Sequence, residues 1–153
     1  MTAGGAATPA SIDAVYQDQI LDHYRHPHGK GALPHPDATA TVRNPFCGEE
    51  VTVSVMVDRS GAETRVRDIQ FVGDGCSLSQ ASASMMTDLV RGRTVAEIAA
   101  LADRFTALLR GDPDAARDDR LGPLRAFAAM SRVPARIPCA LLAWEGLGKA
   151  IGG

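Results

Sequence analysis

Apolar and polar positions alternate in the first half of the chain and recur at helical spacing in the second half. Residues 50–57 carry four valines at every second position, a pattern typical of a strand with one buried face. Residues 38–43 and 64–72 predict two further strands, the last with a bulge near Arg67 and Asp68, where the alternation fails. Three consecutive strands pair most simply as an antiparallel meander.

Helical periodicity and capping signals predict helices before and after these strands. Thr94 and Glu97 have the spacing of a capping box, and Gly92 occupies a C-terminal cap position. Pro123 and Pro138 suit the first turns of two later helices. The predicted helices cover approximately residues 11–26, 76–91, 94–110, 123–130 and 138–151. Strands grouped before most helices indicate an α+β fold, a small antiparallel three-stranded sheet with helices packed on one face.

Composition limits the class of protein. The chain has 153 residues, 45% of them hydrophobic, and a net charge of -2, which is typical of one soluble globular domain. We expect that domain over residues 11–153, after a disordered tail at 1–10. The near-neutral charge argues against broad nucleic-acid binding, which needs a concentrated basic face.

The sequence predicts neither a secretory signal nor a membrane-spanning helix. The N-terminal segment lacks the basic start and apolar run of a secretory signal. No window approaches the roughly 20 apolar residues of a membrane-spanning helix. We therefore expect a cytoplasmic protein that does not bind membranes.

Three cysteines, Cys47, Cys76 and Cys139, form an odd set, unlike a secreted disulfide framework. Each is predicted at the end of a strand or the start of a helix, where distant parts of a chain can converge. Helix N-termini stabilise thiolates, which favours metal ligation or nucleophilic sulfur at Cys76 and Cys139. The spacing matches no zinc-finger pattern, however, and three buried structural cysteines would fit it equally well.

Other candidate chemistry is weaker. All four histidines lie between His23 and His35, ahead of every cysteine, and form no obvious metal set with them. A Cys/His nucleophilic enzyme therefore has no local support. The glycines of Gly73-Asp-Gly75 lack the partners of a phosphate loop and indicate a tight turn that presents Cys76.

Four sequence segments add specific information. They are YQDQILDHYR at 16–25, NPFCGE at 44–49, GDGCSLSQASASMM at 73–86, and RIPC at 136–139 followed by LAW at 142–144. Together these segments closely resemble the SufU branch of the IscU-like (NifU N-terminal) family, over residues 15–151. The resemblance implies a small antiparallel sheet covered by helices, in agreement with the periodicity.

The resemblance also implies a zinc site. SufU proteins hold one zinc through three cysteines and the aspartate of a Cys-Gly-Asp motif, at positions matched here by Cys47, Cys76, Cys139 and Glu49. Glu49 departs from the family aspartate, and its longer arm must fold back to reach the metal. Glu50 is a rival that strand geometry should direct to the opposite side; a solvated, non-ligating Glu49 is the other alternative.

Arg136 matches a family arginine near the metal. It would either hydrogen-bond a thiolate or carboxylate or lie exposed at the helix end. We assign Cys47 and Arg136 as the catalytic residues implied by the resemblance.

Two features favour SufU over the related IscU scaffolds. IscU proteins have a histidine beside the third cysteine, where this chain has Pro138. Residues 112–121 resemble an insertion that marks SufU. Residues 112–120 are strongly charged and begin with Asp-Pro, so we expect an exposed connection there.

The implied function is zinc-dependent sulfur transfer for iron-sulfur cluster assembly. The partner would be a SufS-type cysteine desulfurase, whose histidine replaces Cys47 on the zinc so that Cys47 attacks the desulfurase persulfide. Gly48 gives the Cys47 loop a hinge, whereas Cys76 and Cys139 are fixed at helix starts.

Downstream iron-sulfur assembly proteins would then receive the sulfur from a monomer or weak dimer of this chain. The alternatives are an IscU-type scaffold carrying a transient iron-sulfur cluster and a structural zinc module without chemistry.

Overall fold

The computed structural model describes residues 18–44 and 48–152 of the chain. The described part of the first helix, α1, covers 18–25. The strands are β1 Ala38–Asn44, β2 Glu49–Asp58 and β3 Arg65–Asp74. The later helices are α2 Ser77–Val90, α3 Val95–Leu109, the short α4 Pro113–Ala116 and α5 Ile137–Gly152. Two 3-10 segments, Asp119–Arg132 and Pro134–Arg136, lie between α4 and α5. The predicted tail and the predicted cap at Ser11 lie outside the described residues.

The three strands form an antiparallel sheet in the order β1-β2-β3, which confirms the predicted meander. Val51, Val53 and Val55 of β2 are fully buried, as their alternation predicts. The register shifts where Met56 pairs with Asp68 and Val57 pairs with Val66. Arg67 is the extra residue at this shift, so the predicted bulge is confirmed.

Helices cover the buried face of the sheet. Helix α5 packs against β1 and β2, and α2 packs against β3 and α5. Gly146 of α5 allows a close approach to β2, because a Cβ atom there would lie 3.0 Å from Val53 Cγ2. On the outer side of α5, Phe105 of α3 contacts the rings of Phe127 and Trp144 at centroid distances of 5.6 and 5.7 Å. The predicted α+β class and arrangement are thus confirmed.

Capping at α3 follows the sequence signals. The Thr94 hydroxyl accepts a hydrogen bond from Glu97 N, and the Glu97 carboxylate accepts one from Thr94 N, which completes the predicted capping box. Gly92 and Gly111 have φ values of 85° and 95°, the left-handed conformation expected after a helix end.

Residues 112–120 are mostly exposed, as predicted, but they include the short helix α4, which was not predicted. Asp112 caps α4 by accepting from Asp114 N, and Ala115 in this helix is fully buried. Asp118 then binds both Arg104 and Arg120. The charged residues of this mostly exposed segment thus also cap a short helix and join it to α3.

The predicted helix at 123–130 is also different. It belongs to the 3-10 segment Asp119–Arg132, which is kinked at Gly122, where φ is 51°. Pro123 follows this kink and has no N–H to donate across it.

Among the described residues, no helix is both long and apolar enough to span a membrane.

The turn between β3 and α2 depends on two glycines. Gly73 has φ 142°, and a Cβ atom there would lie 2.1 Å from the carbonyl oxygen of Glu50. A Cβ atom on Gly75 would lie 2.2 Å from Ser79 Oγ. The contact at Gly73 is with backbone and leaves no room for a side chain, so Gly73 lets the chain pass close to β2 just before Cys76, whereas Gly75 lies against the Ser79 side chain of α2.

We predict that Gly73→Ala lowers the free energy of unfolding by about 2 kcal/mol or more, because both the backbone conformation and the contact with Glu50 become strained. Gly148→Ala is the matched control, since Gly148 lies in α5 and a Cβ atom there would have nothing within 4 Å. This control should raise stability by about 0.5 to 1 kcal/mol. Urea denaturation measures both, and equal effects of the two substitutions would contradict the packing described.

Candidate metal centre

Three elements bring potential metal ligands together. Glu49 is the first residue of β2, Cys76 is the N-cap of α2, and Cys139 lies in the first turn of α5. One donor atom from each residue lies within 4.8 Å of the other two. Ligands of a tetrahedral zinc bound to sulfur and oxygen lie about 3.5 to 4 Å apart, so a small closure would suffice.

Glu49 is a buried carboxylate at this group of donors. The residue is only 6% exposed. Its Oε1 accepts a hydrogen bond from Cys76 N at 3.1 Å, whereas its Oε2 is buried without a hydrogen-bond partner among the described residues. An unpaired buried carboxylate oxygen is costly, which makes it well suited to bind a cation. A Glu49 carboxylate oxygen lies within 4.8 Å of both sulfurs, so the side chain reaches the two cysteines despite its extra methylene.

Glu50 lies on the opposite side of the strand, as alternation requires. Its carboxylate binds Arg43 Nε at 2.5 Å, and its side chain is 44% exposed. It does not belong to the donor group that the structure forms at Cys76. Of the two neighbouring carboxylates, only Glu49 faces the thiols.

Arg136 lies beside both thiols, just before α5. Hydrogen bonds to Cys76 and, with a smaller effect, to Cys139 raise the pKa of its guanidinium above the usual value. The guanidinium therefore remains charged and stabilises negative charge on either sulfur. Of the two arrangements considered for Arg136, the structure has the one in which it hydrogen-bonds the thiols, although the residue is itself exposed.

Asn44 is a site residue to which the sequence analysis assigned no role. Its side chain is buried, and Nδ2 donates to Cys139 Sγ at 3.8 Å. Asn44 pairs with Glu49 in the β1-β2 register. A prediction of the strand register would therefore have placed Asn44 at the site. It forms part of a cavity of about 200 Å³ that is also bordered by Glu49, Cys76 and Cys139.

Cys47 lies outside the described residues. The nearest described residues on either side are Asn44 and Gly48. The Asn44 carbonyl accepts a hydrogen bond from Gly48 N at 2.9 Å, and Gly48 has a φ value of 69°. Asn44 contacts Cys139, and Glu49 follows Gly48 directly, so the segment containing Cys47 starts and ends at the donor group. Its role as ligand and sulfur acceptor stays a prediction.

Comparisons with known proteins agree on one family. The model of the NifU-like N terminal domain matches residues 15–137. The scaffold protein IscU of Streptococcus pyogenes serotype M1 is 37% identical, over 93% of this chain and 86% of that protein. The zinc-dependent sulfurtransferase SufU of Bacillus subtilis is 35% identical, over 93% of this chain and 92% of that protein.

A solved structure adds the same relationship in three dimensions. The crystal structure of FiSufU from Fervidobacterium islandicum AW-1 has a TM-score of 0.77 and 28% identity, over 87% of this chain and 93% of that one. The two sequence relatives carry different functional names, one scaffold and one sulfurtransferase, so they do not distinguish between these functions. On the matched family model and these similarities, the chain belongs to the NifU-like N-terminal domain family, the family of IscU and SufU.

Proposed function

We propose that this chain is a zinc-dependent sulfur carrier that accepts persulfide sulfur from a SufS-type cysteine desulfurase. Membership of the IscU and SufU family assigns it to iron-sulfur cluster assembly. The observation that supports the finer proposal is the buried Glu49 Oε2 beside Cys76 and Cys139, an atom with no hydrogen-bond partner among residues 18–44 and 48–152. This donor set of carboxylate and thiols is one that zinc accepts.

The residues that would hold zinc are Glu49, Cys76 and Cys139, with Cys47 as the third thiol. Zinc supplies stabilisation of thiolates without redox chemistry of its own. Arg136 adds a fixed positive charge at two of the sulfurs. Asn44 orients Cys139, and Cys76 N holds Glu49, so both described thiols and the carboxylate have defined positions.

Cys47 is the proposed sulfur acceptor because its segment differs from those of the other thiols. Cys76 and Cys139 lie at helix starts, whereas Cys47 precedes Gly48, a residue with open space at its Cβ position. In the proposed transfer, the Cys47 thiolate attacks the outer sulfur of the desulfurase persulfide. A new sulfur-sulfur bond forms on Cys47, the old one breaks, and the desulfurase cysteine leaves as a thiolate.

A scaffold that assembles a cluster is the second candidate, since the relative from Streptococcus pyogenes carries that name. The donor group at Cys76 contains no histidine among the described residues, and Pro138 precedes Cys139 where scaffolds have one. Because the family resemblance links that histidine to scaffolds, its replacement favours the carrier.

We predict one zinc per folded chain in protein purified without added metal. A structural metal contributes directly to the free energy of folding, so chelation should lower the melting temperature markedly. Elemental analysis and thermal denaturation with and without chelator measure these quantities. Substantially less than one zinc per chain, or mainly iron, would argue against the carrier.

The neighbouring carboxylates provide a matched test of the oxygen ligand. Glu49→Ala should weaken zinc affinity at least about tenfold, since loss of groups that merely orient a ligand already costs 10- to 100-fold. Glu49→Asp should restore most of the affinity, because it returns the family carboxylate.

Glu50→Ala is the control, because Glu50 lies on the same strand and binds Arg43 on its other face. Competition with a chromophoric chelator gives all three affinities. Unchanged zinc affinity in Glu49→Ala would remove Glu49 from the site.

The proposed role of Cys47 has a direct chemical test. With desulfurase and cysteine present, mass spectrometry of the wild-type chain should locate the added sulfur on Cys47, and Cys47→Ser should abolish stimulation of desulfurase turnover. Cys76→Ser should instead lose zinc and stability. Persulfide on Cys76 or Cys139, together with full stimulation by Cys47→Ser, would refute the assignment; a stable cluster without persulfide would favour the scaffold.

A further inference from the structure

We propose that His23, His28 and Asp88 form a second, cysteine-free binding site for a divalent transition-metal ion such as zinc. The three residues come from different elements, namely α1, the linker after it, and the last turn of α2. A ligand atom from each lies within 4.8 Å of the others. The proposal is independent of the sulfur-carrier function.

The two histidine rings are already held close together. Their centroids are 4.7 Å apart. His23 Nδ1 is 2.7 Å from Ser84 Oγ, and His28 Nδ1 is 2.5 Å from Asp88 Oδ2. Metal-binding histidines commonly use one ring nitrogen for the metal and the other for a hydrogen bond that fixes the ring. Ser84 can fix His23 in this way and leave Nε2 for a metal.

The backbone at His28 is fixed by its neighbours rather than carried on a free loop. His28 N donates to Ser84 Oγ at 2.8 Å, and Thr87 Oγ1 donates to the His28 carbonyl at 3.1 Å. The next residue, Gly29, accepts from Phe71 N of β3 at 2.9 Å. Since Ser84, Thr87 and Asp88 share one face of α2, the helix presents both the supports and a ligand.

The donor set indicates the kind of ion. Two imidazoles and one carboxylate suit zinc and similar first-row metals, whereas calcium and magnesium prefer sites built from oxygen. The side chains of His28 and Asp88 are 51% and 41% exposed, so they can adjust to a metal and leave a position for water.

Position along α2 separates this site from the cysteine centre. Asp88 lies twelve positions after Cys76, the N-cap of α2, which corresponds to a rise of about 18 Å along the helix axis. An ion at the second site would therefore join α1 and its linker to the far end of the helix that starts at the cysteine centre.

Cobalt titration of the zinc-containing protein tests the proposal. A cobalt ion at His23, His28 and Asp88 should give weak visible absorption without the intense near-ultraviolet absorption of a cobalt-thiolate bond. We expect about one cobalt ion per chain to bind with this absorption spectrum. His28→Gln and Asp88→Asn should each weaken it at least about tenfold, since each removes a ligand.

His26→Gln and His35→Gln are matched controls, because both histidines are exposed in the same region and lie outside the group. Both should bind cobalt as the wild type does. Absence of this cobalt in the wild type would overturn the proposal and leave His28 and Asp88 as an ion pair only. Equal losses in the control variants would also overturn it. If the cysteine centre lost its zinc, cobalt would bind there and add cobalt-thiolate absorption. A failure of the proposed zinc-dependent function is therefore distinguishable from a failure of the second site.

Discussion

A buried carboxylate needs a partner for each of its two oxygens, and Glu49 has one of them in the backbone N–H of Cys76. That hydrogen bond joins the start of β2 to the start of α2. Because a buried polar oxygen is stable only when it has a partner, the second oxygen, which has none in the part of the chain that the structure describes, is suited to bind a cation. The Glu49 side chain thus links two of the elements that form the candidate metal centre.

The sheet and its turns bring the participants to Glu49. The β1-β2 register places Asn44 opposite Glu49, and Gly73 lets β3 approach the backbone of β2 before the chain turns to Cys76. Cys139 arrives on α5, which packs across the same sheet. The site is therefore formed by contacts between elements far apart in sequence.

Periodicity predicted the fold well because burial of one sheet face fixes the alternation of β2, and local hydrogen bonds fix the caps at Thr94 and Gly92. At 112–120 the predicted exposure is largely found, but the short helix α4 was not predicted, since the same charged residues also cap it and bind neighbouring arginines. Periodicity also gave no warning that the chain kinks at Gly122.

For the candidate site, strand geometry separated Glu49 from Glu50, and the structure places them on opposite faces. Asn44 was missed because its importance depends on the hairpin register, which the sequence analysis did not assign residue by residue. The group of His23, His28 and Asp88 was missed for a related reason, since 60 residues separate His28 from Asp88 and no local pattern joins them.

The close approach of Gly146 to Val53 has a consequence for the distant end of α5. Val53 belongs to the strand that begins with Glu49, and Gly146 belongs to the helix that begins near Cys139. The spacing between helix and strand in the hydrophobic core therefore helps to set the spacing between the buried thiol of Cys139 and the buried carboxylate of Glu49. Two residues of the core, with no chemistry of their own, thus limit how widely the ligands of the metal site can be spread.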